Sequence, residues 1–138
     1  MINKTVNYSH QTIDSHDLKA INKAINSGIL TQGKEVKNFE NNLKKYFNSK
    51  YASVVSSGTA ALHLTGNALG WKKNDLIVTT PLTFIASANS ILYRNATPIF
   101  VDINLNDYQL NLNQLETKLK KNKKIKAVIA IDYAGNPC

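Results

Sequence analysis

Residues 51–70 read YASVVSSGTAALHLTGNALG, and the order of residue types in them decides the fold. Tyr51–Val55 is a short, largely apolar run of strand length. Ser56-Ser57-Gly58 interrupts it with turn-forming residues. From Thr59 the apolar residues take up helical spacing, and Gly70 supplies a stop. The stretch reads as a strand, a tight glycine-containing turn and a helix.

The alternation continues on both sides. Upstream, Asp14 or Ser15 can cap a helix with Leu18, Ile21 and Ile25 on one face, ended by Gly28. Residues 29–33, ILTQG, form a loop. A second helix carries Val36, Phe39, Leu43 and Phe47 and stops at Asn48-Ser49. Downstream, Leu76–Thr79 is a second strand, and Pro81 and Thr83 turn the chain into a helix over Phe84–Tyr93. Pro98–Ile103 is a third strand. Asn113 or a neighbour caps a helix bearing Leu115 and Leu119, and Lys126–Asp132 is a fourth strand. Strands that are bare apolar runs separated by helices are those of a parallel sheet covered on both faces. Right-handed crossovers connect such strands, and ligands bind at their carboxyl ends. SSGTA, TTPLTF and DYAGNP follow strands one, two and four, so one crevice could collect all three.

The first of these segments has the makings of an anion site. The first amides of a helix lack internal partners and carry the positive end of its dipole. Gly58 allows a ligand close to the backbone, and the Thr59 hydroxyl adds a donor. A phosphate suits such a place, although an ordinary capped helix looks the same. His63, one turn further on, reads as a packed helix residue. In TTPLTFIASAN, Phe84 stands at the lip of the same crevice, where its ring could stack on a flat heterocycle or simply fill the core. Phosphate cradle and aromatic platform together describe a site for a planar, phosphorylated cofactor. Pyridoxal phosphate (PLP) answers that description, and so does a nucleotide.

Composition narrows the class. The 138 residues suffice for one compact domain, and 43% of them are hydrophobic, which fits a folded chain and not a disordered one. No apolar run approaches the ~20 residues of a membrane span, and the N-terminus has no apolar core of a secretory signal. One cysteine, Cys138, cannot close an internal disulfide, which fits a reducing cytoplasm. The net charge is +8. Its densest source, KLKKNKKIK at 118–126, contains no aromatic residue to stack on bases, so it reads as a solvated helix end and not a nucleic-acid patch.

The ordered series Leu30-Thr31-Gln32-Gly33, Phe39-Glu40, SSGTAALHL, TTPLTFIASAN, Ala96-Thr97-Pro98-Ile99-Phe100-Val101-Asp102 and Ala134-Gly135-Asn136-Pro137-Cys138 resembles the DegT/DnrJ/EryC1/StrS family of fold-type I PLP-dependent sugar aminotransferases. The likeness runs the length of the chain. Tyr8-Ser9, LTQGK, the TTP before Phe84 and Asp132-Tyr133-Ala134-Gly135 look like the branch that works towards pseudaminic acid, a nonulosonic sugar of bacterial surface glycans. Many members carry His where Asp132 stands and Tyr where Ala134 stands.

The resemblance implies an α/β fold: the N-terminal part of the PLP-binding large domain, a mainly parallel sheet with flanking helices. Residues 1–50 would be a helical segment and 51–138 the βαβ units, the rest of that domain and a small domain being absent. By position, Gly58, Thr59 and Ala60 match the cofactor-phosphate turn, and Phe84 matches the residue stacked on the pyridine ring. Thr31 and Gln32 match a loop near the substrate. The reaction implied moves an amino group from an amino acid, glutamate above all, to a UDP-linked 4-keto-6-deoxy sugar, in a cytoplasmic homodimer that binds neither nucleic acid, membrane nor metal. The acidic partner of the pyridine nitrogen and the lysine that carries the cofactor aldehyde lie beyond Cys138 in family members. The expectation is therefore a fragment that supplies no catalytic residue. A PLP-dependent sugar dehydratase of the same family, with His for that lysine, and a non-catalytic remnant are the alternatives.

Overall fold

A computed structural model describes residues 9–138 of the chain; Tyr8 lies outside them. The chain divides into two compact units, residues 1–54 and 55–138.

In the first unit, helix α1 spans Ser15–Ile25. The Asp14 carboxylate accepts the N–H groups of His16 (2.7 Å) and Asp17 (3.2 Å), and Asp17 accepts the N–H of Asp14 at 2.9 Å. This reciprocal cap satisfies amides that the helix leaves unpaired. Those two donors, His16 first, hold the Asp14 carboxyl below its ordinary value. The loop that follows is tightly determined. Gln32 takes a left-handed φ of +52°, and a Cβ at Gly33 would stand 2.6 Å from the Ile29 carbonyl oxygen. Helix α2 then runs Lys34–Tyr46.

The second unit opens with helix α3, Gly58–Ala68. Strand β1 (Leu76–Thr79), helix α4 (Ala86–Leu92), strand β2 (Thr97–Phe100), helix α5 (Leu112–Lys121) and strand β3 (Ile125–Val128) follow, then a single 3-10 turn at Tyr133–Gly135. The sheet is parallel throughout, in the order β2-β1-β3. Ile77 faces Pro98 and Thr79 faces Phe100 on one side of β1, while Val78 faces Val128 on the other. Between Leu76↔Ile125 and Ile77↔Ala127 the register slips, which leaves Lys126 as an extra residue.

Successive residues of β1 feed opposite faces of the sheet, as the strand period requires. Ile77 packs with Trp71, Ile91 and Ala96. Val78 packs with Val101 and Leu110, and Leu115 of α5 lies against them. Ile77, Val78, Ile91 and Val101 are all fully buried, each worth about 1.5–3 kcal/mol by transfer from water. Helices α3 and α4 pack together. Gly66 of α3 makes room for the Trp71 indole, because a Cβ there would meet Trp71 Cε3 at 2.6 Å.

The expected α/β fold is present, and β1 lies where the sequence places it. Four details differ. Tyr51–Val55 forms no strand: a strand exists only as one side of a ladder, and this segment has none. The N–H of Val54 goes instead to Glu40 Oε1 at 3.1 Å. Helix α4 begins at Ala86, so Phe84 belongs to the turn before it. Strands three and four of the sequence reading begin one residue earlier and end sooner than expected, at Phe100 and Val128, because β1 runs into Pro81 and its neighbours lose their partner. Ile103 pairs with Leu110 as an isolated bridge, and the ladder of β3 ends with Ile129 donating to the Val78 carbonyl at 2.8 Å. Finally Asn111, not Asn113, caps α5, its side chain accepting the Gln114 N–H at 3.0 Å.

Candidate functional site

The N-terminus of α3 is built by Ser57. Its backbone is extended and its Oγ accepts the N–H of Ala60 at 3.2 Å, while the N–H of Ala61 closes onto the Ser57 carbonyl at 3.0 Å. Gly58 and Thr59 are the first two helical residues, whose amides have no acceptor within a helix. No acidic side chain stands in that first turn. A Cβ on Gly58 would meet nothing within 4 Å, so the first helical residue is uncrowded. These features fit a phosphate group: two donors, a positive dipole end, no opposing carboxylate and an uncrowded first residue.

Two expectations need correcting here. Gly58 was read as the turn glycine, but it is the first residue of the helix, and the protein itself does not crowd it. Ala60 was matched to the phosphate turn, yet its N–H is engaged by Ser57. The sequence held the signal for that cap, a serine three residues before the amide that it accepts.

Phe84, in the turn before α4, is 74% exposed. Thr83 beside it is fixed by a hydroxyl bond to Ser87 at 2.9 Å. Helices α3 and α4 are in contact. His63 lies edge-on to Tyr93 with centroids 5.2 Å apart, and Gly66 faces Trp71 and Arg94. Thr59 lies in the first turn of α3 and Phe84 in the turn that leads into α4. His63 is exposed, and its ring meets only the edge-on ring of Tyr93.

At the carboxyl ends of β1 and β2, Thr80, Pro81, Thr83, Ile85, Ala88 and Phe100 line a cleft of about 190 Å³. Thr79, fully buried at the end of β1, keeps its Oγ1 without a partner among the described residues. Sequence reasoning did not single out either feature, because both depend on which strands become neighbours. At the end of the β3 segment, Asp132 Oδ1 accepts the Cys138 N–H at 3.0 Å. That bond holds the Asp132 carboxyl below its usual value, and the carboxylate in turn raises the Cys138 thiol. Thr31 and Gln32 belong to the first unit, where the left-handed φ of Gln32 is uncommon for a residue with a Cβ.

The lysines of the second unit lie at the other end of its strands. Lys72 and Lys73 lead into β1, and Lys118, Lys120, Lys121, Lys123 and Lys124 lead through the end of α5 into β3. Lys126, the bulged residue, pairs with Asp75 just before β1 at 3.7 Å. Among the described residues no group of three His, Cys, Asp or Glu side chains could hold a metal, and no helix is long and apolar enough to cross a membrane.

A parallel sheet with flanking helices, a helix N-terminus free of acidic side chains and an exposed aromatic in the turn before α4 are features that a flat phosphorylated ligand can use. Residues 11–138 match the DegT/DnrJ/EryC1/StrS aminotransferase family, and the chain belongs to that family. It is 45% identical over 132 residues to the UDP-4-amino-4,6-dideoxy-N-acetyl-beta-L-altrosamine transaminase of Campylobacter jejuni, covering 95% of this chain and 35% of that one. Among solved structures, Helicobacter pylori PseC, an aminotransferase of pseudoaminic acid biosynthesis, is 36% identical with a TM-score of 0.85, over 98% of this chain and 36% of that chain. The PLP form of Spr1654 from Streptococcus pneumoniae is 27% identical with a TM-score of 0.87, over 98% of this chain and 34% of that chain. The chain thus spans about a third of the length of the relatives that it matches. The likeness to the branch working towards pseudaminic acid, read from Asp132 and its neighbours, agrees with these relatives.

Proposed function

We propose that this chain is the N-terminal part of the PLP-binding large domain of a sugar aminotransferase, residues 1–50 its helical segment and 51–138 its βαβ units. The reading is carried by the N-terminus of α3, capped by Ser57 and free of acidic side chains, together with the exposed Phe84 in the turn before α4. The amides of Gly58 and Thr59 and the Thr59 hydroxyl bind the cofactor phosphate. Ala60 joins them only where the Ser57 hydroxyl shares or releases its N–H. Phe84 covers one face of the ring and fixes its tilt. When bound, PLP supplies an electron sink for proton removal at the amino-bearing carbon.

The acceptor is a UDP-linked 4-keto-6-deoxy sugar and the donor an amino acid, glutamate by preference. The product feeds pseudaminic-acid or related surface-glycan synthesis in the cytoplasm, and the complete enzyme is a homodimer. Thr31 and Gln32 meet the sugar. The resemblance places the proton-transferring lysine outside this chain, and the lysines of the second unit lie at the opposite ends of its strands.

The test joins residues 1–138 to the remaining two-thirds of the Campylobacter jejuni relative. The joined protein should bind PLP and aminate a UDP-4-keto-6-deoxy sugar with glutamate, whereas the 138-residue chain alone should not. A joined protein that folds but leaves PLP unbound would refute the reading.

A further inference from the structure

Glu40 is out of keeping with its place on α2. Val36, Glu40, Leu43 and Phe47 follow one another at the spacing of a single helical stripe, and the other three are apolar. Yet Glu40 is half-buried while Val36, Phe39 and Phe47 are exposed. Among the described residues no Lys or Arg pairs with it. Withdrawing a carboxylate from water costs free energy unless it is hydrogen-bonded. Its partner is the Val54 N–H, which donates to Oε1 at 3.1 Å from 14 residues further along the chain. A bond to a charged acceptor is stronger than a neutral side chain would make.

The chain between the two is also closed at its near end. Asn48 takes a left-handed φ of +48°, and the Ser49 N–H returns to the Lys44 carbonyl at 2.9 Å. The Ser49 hydroxyl donates to the Tyr51 carbonyl at 3.0 Å. These bonds turn the chain after α2, and Glu40 takes hold of it again at Val54. Val55 and Ser56 alone stand between Val54 and Ser57, the residue that caps α3. Three steps of chain span at most about 10–11 Å, so where Val54 is held limits where Ser57 can be. Successive residues of an extended segment turn their backbone groups to opposite sides. The Val54 bond therefore leaves Ser53 and Val55 for a strand from the rest of the protein.

We propose that Glu40 is a positioning residue for the cofactor phosphate. By holding the Val54 amide it sets the chain that delivers Ser57, and with Ser57 the first amides of α3. The inference rests on the reading of α3 as the phosphate site.

The test compares two probes in the joined protein: PLP, and pyridoxal, which has the same ring and aldehyde but no phosphate. Absorbance titrations give both affinities, and their ratio isolates the phosphate. Glu40→Ala should lower that ratio about tenfold, the lower end of what one bond to a charged group is worth, by weakening PLP and sparing pyridoxal. Glu40→Asp keeps the charge but withdraws it by one methylene, and its ratio should fall between those of Glu40→Ala and the parent. Thr59→Ala, which acts at the phosphate itself, should lower the ratio as well. A Glu40→Ala protein with the parent's ratio overturns the proposal. So does one that loses PLP and pyridoxal equally, since a general loosening of the fold would do that. If Glu40→Ala does not fold, Glu40→Asp decides by the same ratio. If neither Thr59→Ala nor Glu40→Ala lowers the ratio, the phosphate site itself is wrong. If Thr59→Ala lowers it and Glu40→Ala does not, the site stands and the role of Glu40 is refuted.

Discussion

Replacing Gly66 by alanine should destabilise the second unit, against the direction that helix propensity alone would give. Gly66 lies within α3, and there alanine gains about 1 kcal/mol over glycine by propensity. Packing opposes this. The new Cβ would stand 2.6 Å from Trp71 Cε3, 3.0 Å from Cζ3 and 3.3 Å from Arg94 Cγ. The Arg94 methylene can yield, but the indole cannot. Trp71 is 5% exposed and locked against Ile77, Ile91 and Ala96, and the Arg94 Nε–H donates to its carbonyl at 3.3 Å. Forcing a rigid ring aside costs about 1–3 kcal/mol, and a contact this short belongs in the upper half of that range. The net loss is then about 1–2 kcal/mol, or about 4–16 °C in Tm for a unit of this size. Trp71 is the sole tryptophan, so its fluorescence in a urea titration reports on the site that is perturbed. Gly66→Ala should shift the midpoint down and redden the native emission as the ring is displaced. An unchanged or higher midpoint with unshifted emission would refute the argument that Gly66 is there to seat the indole.

In the joined protein, Thr59→Ala should weaken PLP affinity about 10- to 100-fold, the worth of one bond to a charged phosphate, as read by an absorbance titration. Phe84→Ala should weaken PLP comparably while leaving the urea midpoint of the 138-residue chain in place, because the ring is mostly exposed; a large drop in that midpoint would show that Phe84 is a core residue. The contribution of Asp14 to α1 should depend on pH. Its carboxyl is lowered on folding, so the cap is fully present above the ordinary carboxylate pKa and fades as pH falls through the lower folded value. Amide exchange at His16 and Asp17 should quicken over that acid range in the parent and show no such step in Asp14→Asn.

How much of this was legible in the sequence depended on whether an element needs a partner. The caps of α1 and α5 and the stop at Gly70 are local, and the residues that make them stand within a few positions of the ends that they close. β1 was legible because Leu76–Thr79 is apolar on both faces and Asp75 and Pro81 bound it. Tyr51–Val55 has the same character, yet no ladder forms, since pairing is a property of two segments. The central place of β1 and the extra residue at Lys126 were hidden for the same reason. At the candidate site, Thr59 and Phe84 were singled out by pattern and resemblance. The engagement of Ala60 by Ser57 was missed because the turn was read as a glycine turn and not as a serine cap.

The central position of β1 also has a consequence in time. A ribosome delivers the chain from its N-terminus, so β1 emerges before either neighbour. Its side towards β2 can close once Val101 is out, but its other side waits for Ile129 to reach the Val78 carbonyl. At about 5–20 residues per second, the fifty-odd residues between them take roughly 3–10 s to synthesise. For that interval Ile77 and Val78 form one half of an unfinished ladder, far longer than the ~1–10 µs in which a local hairpin forms. The nascent chain is then most open to a chaperone, or to the strand of a neighbour on the same message.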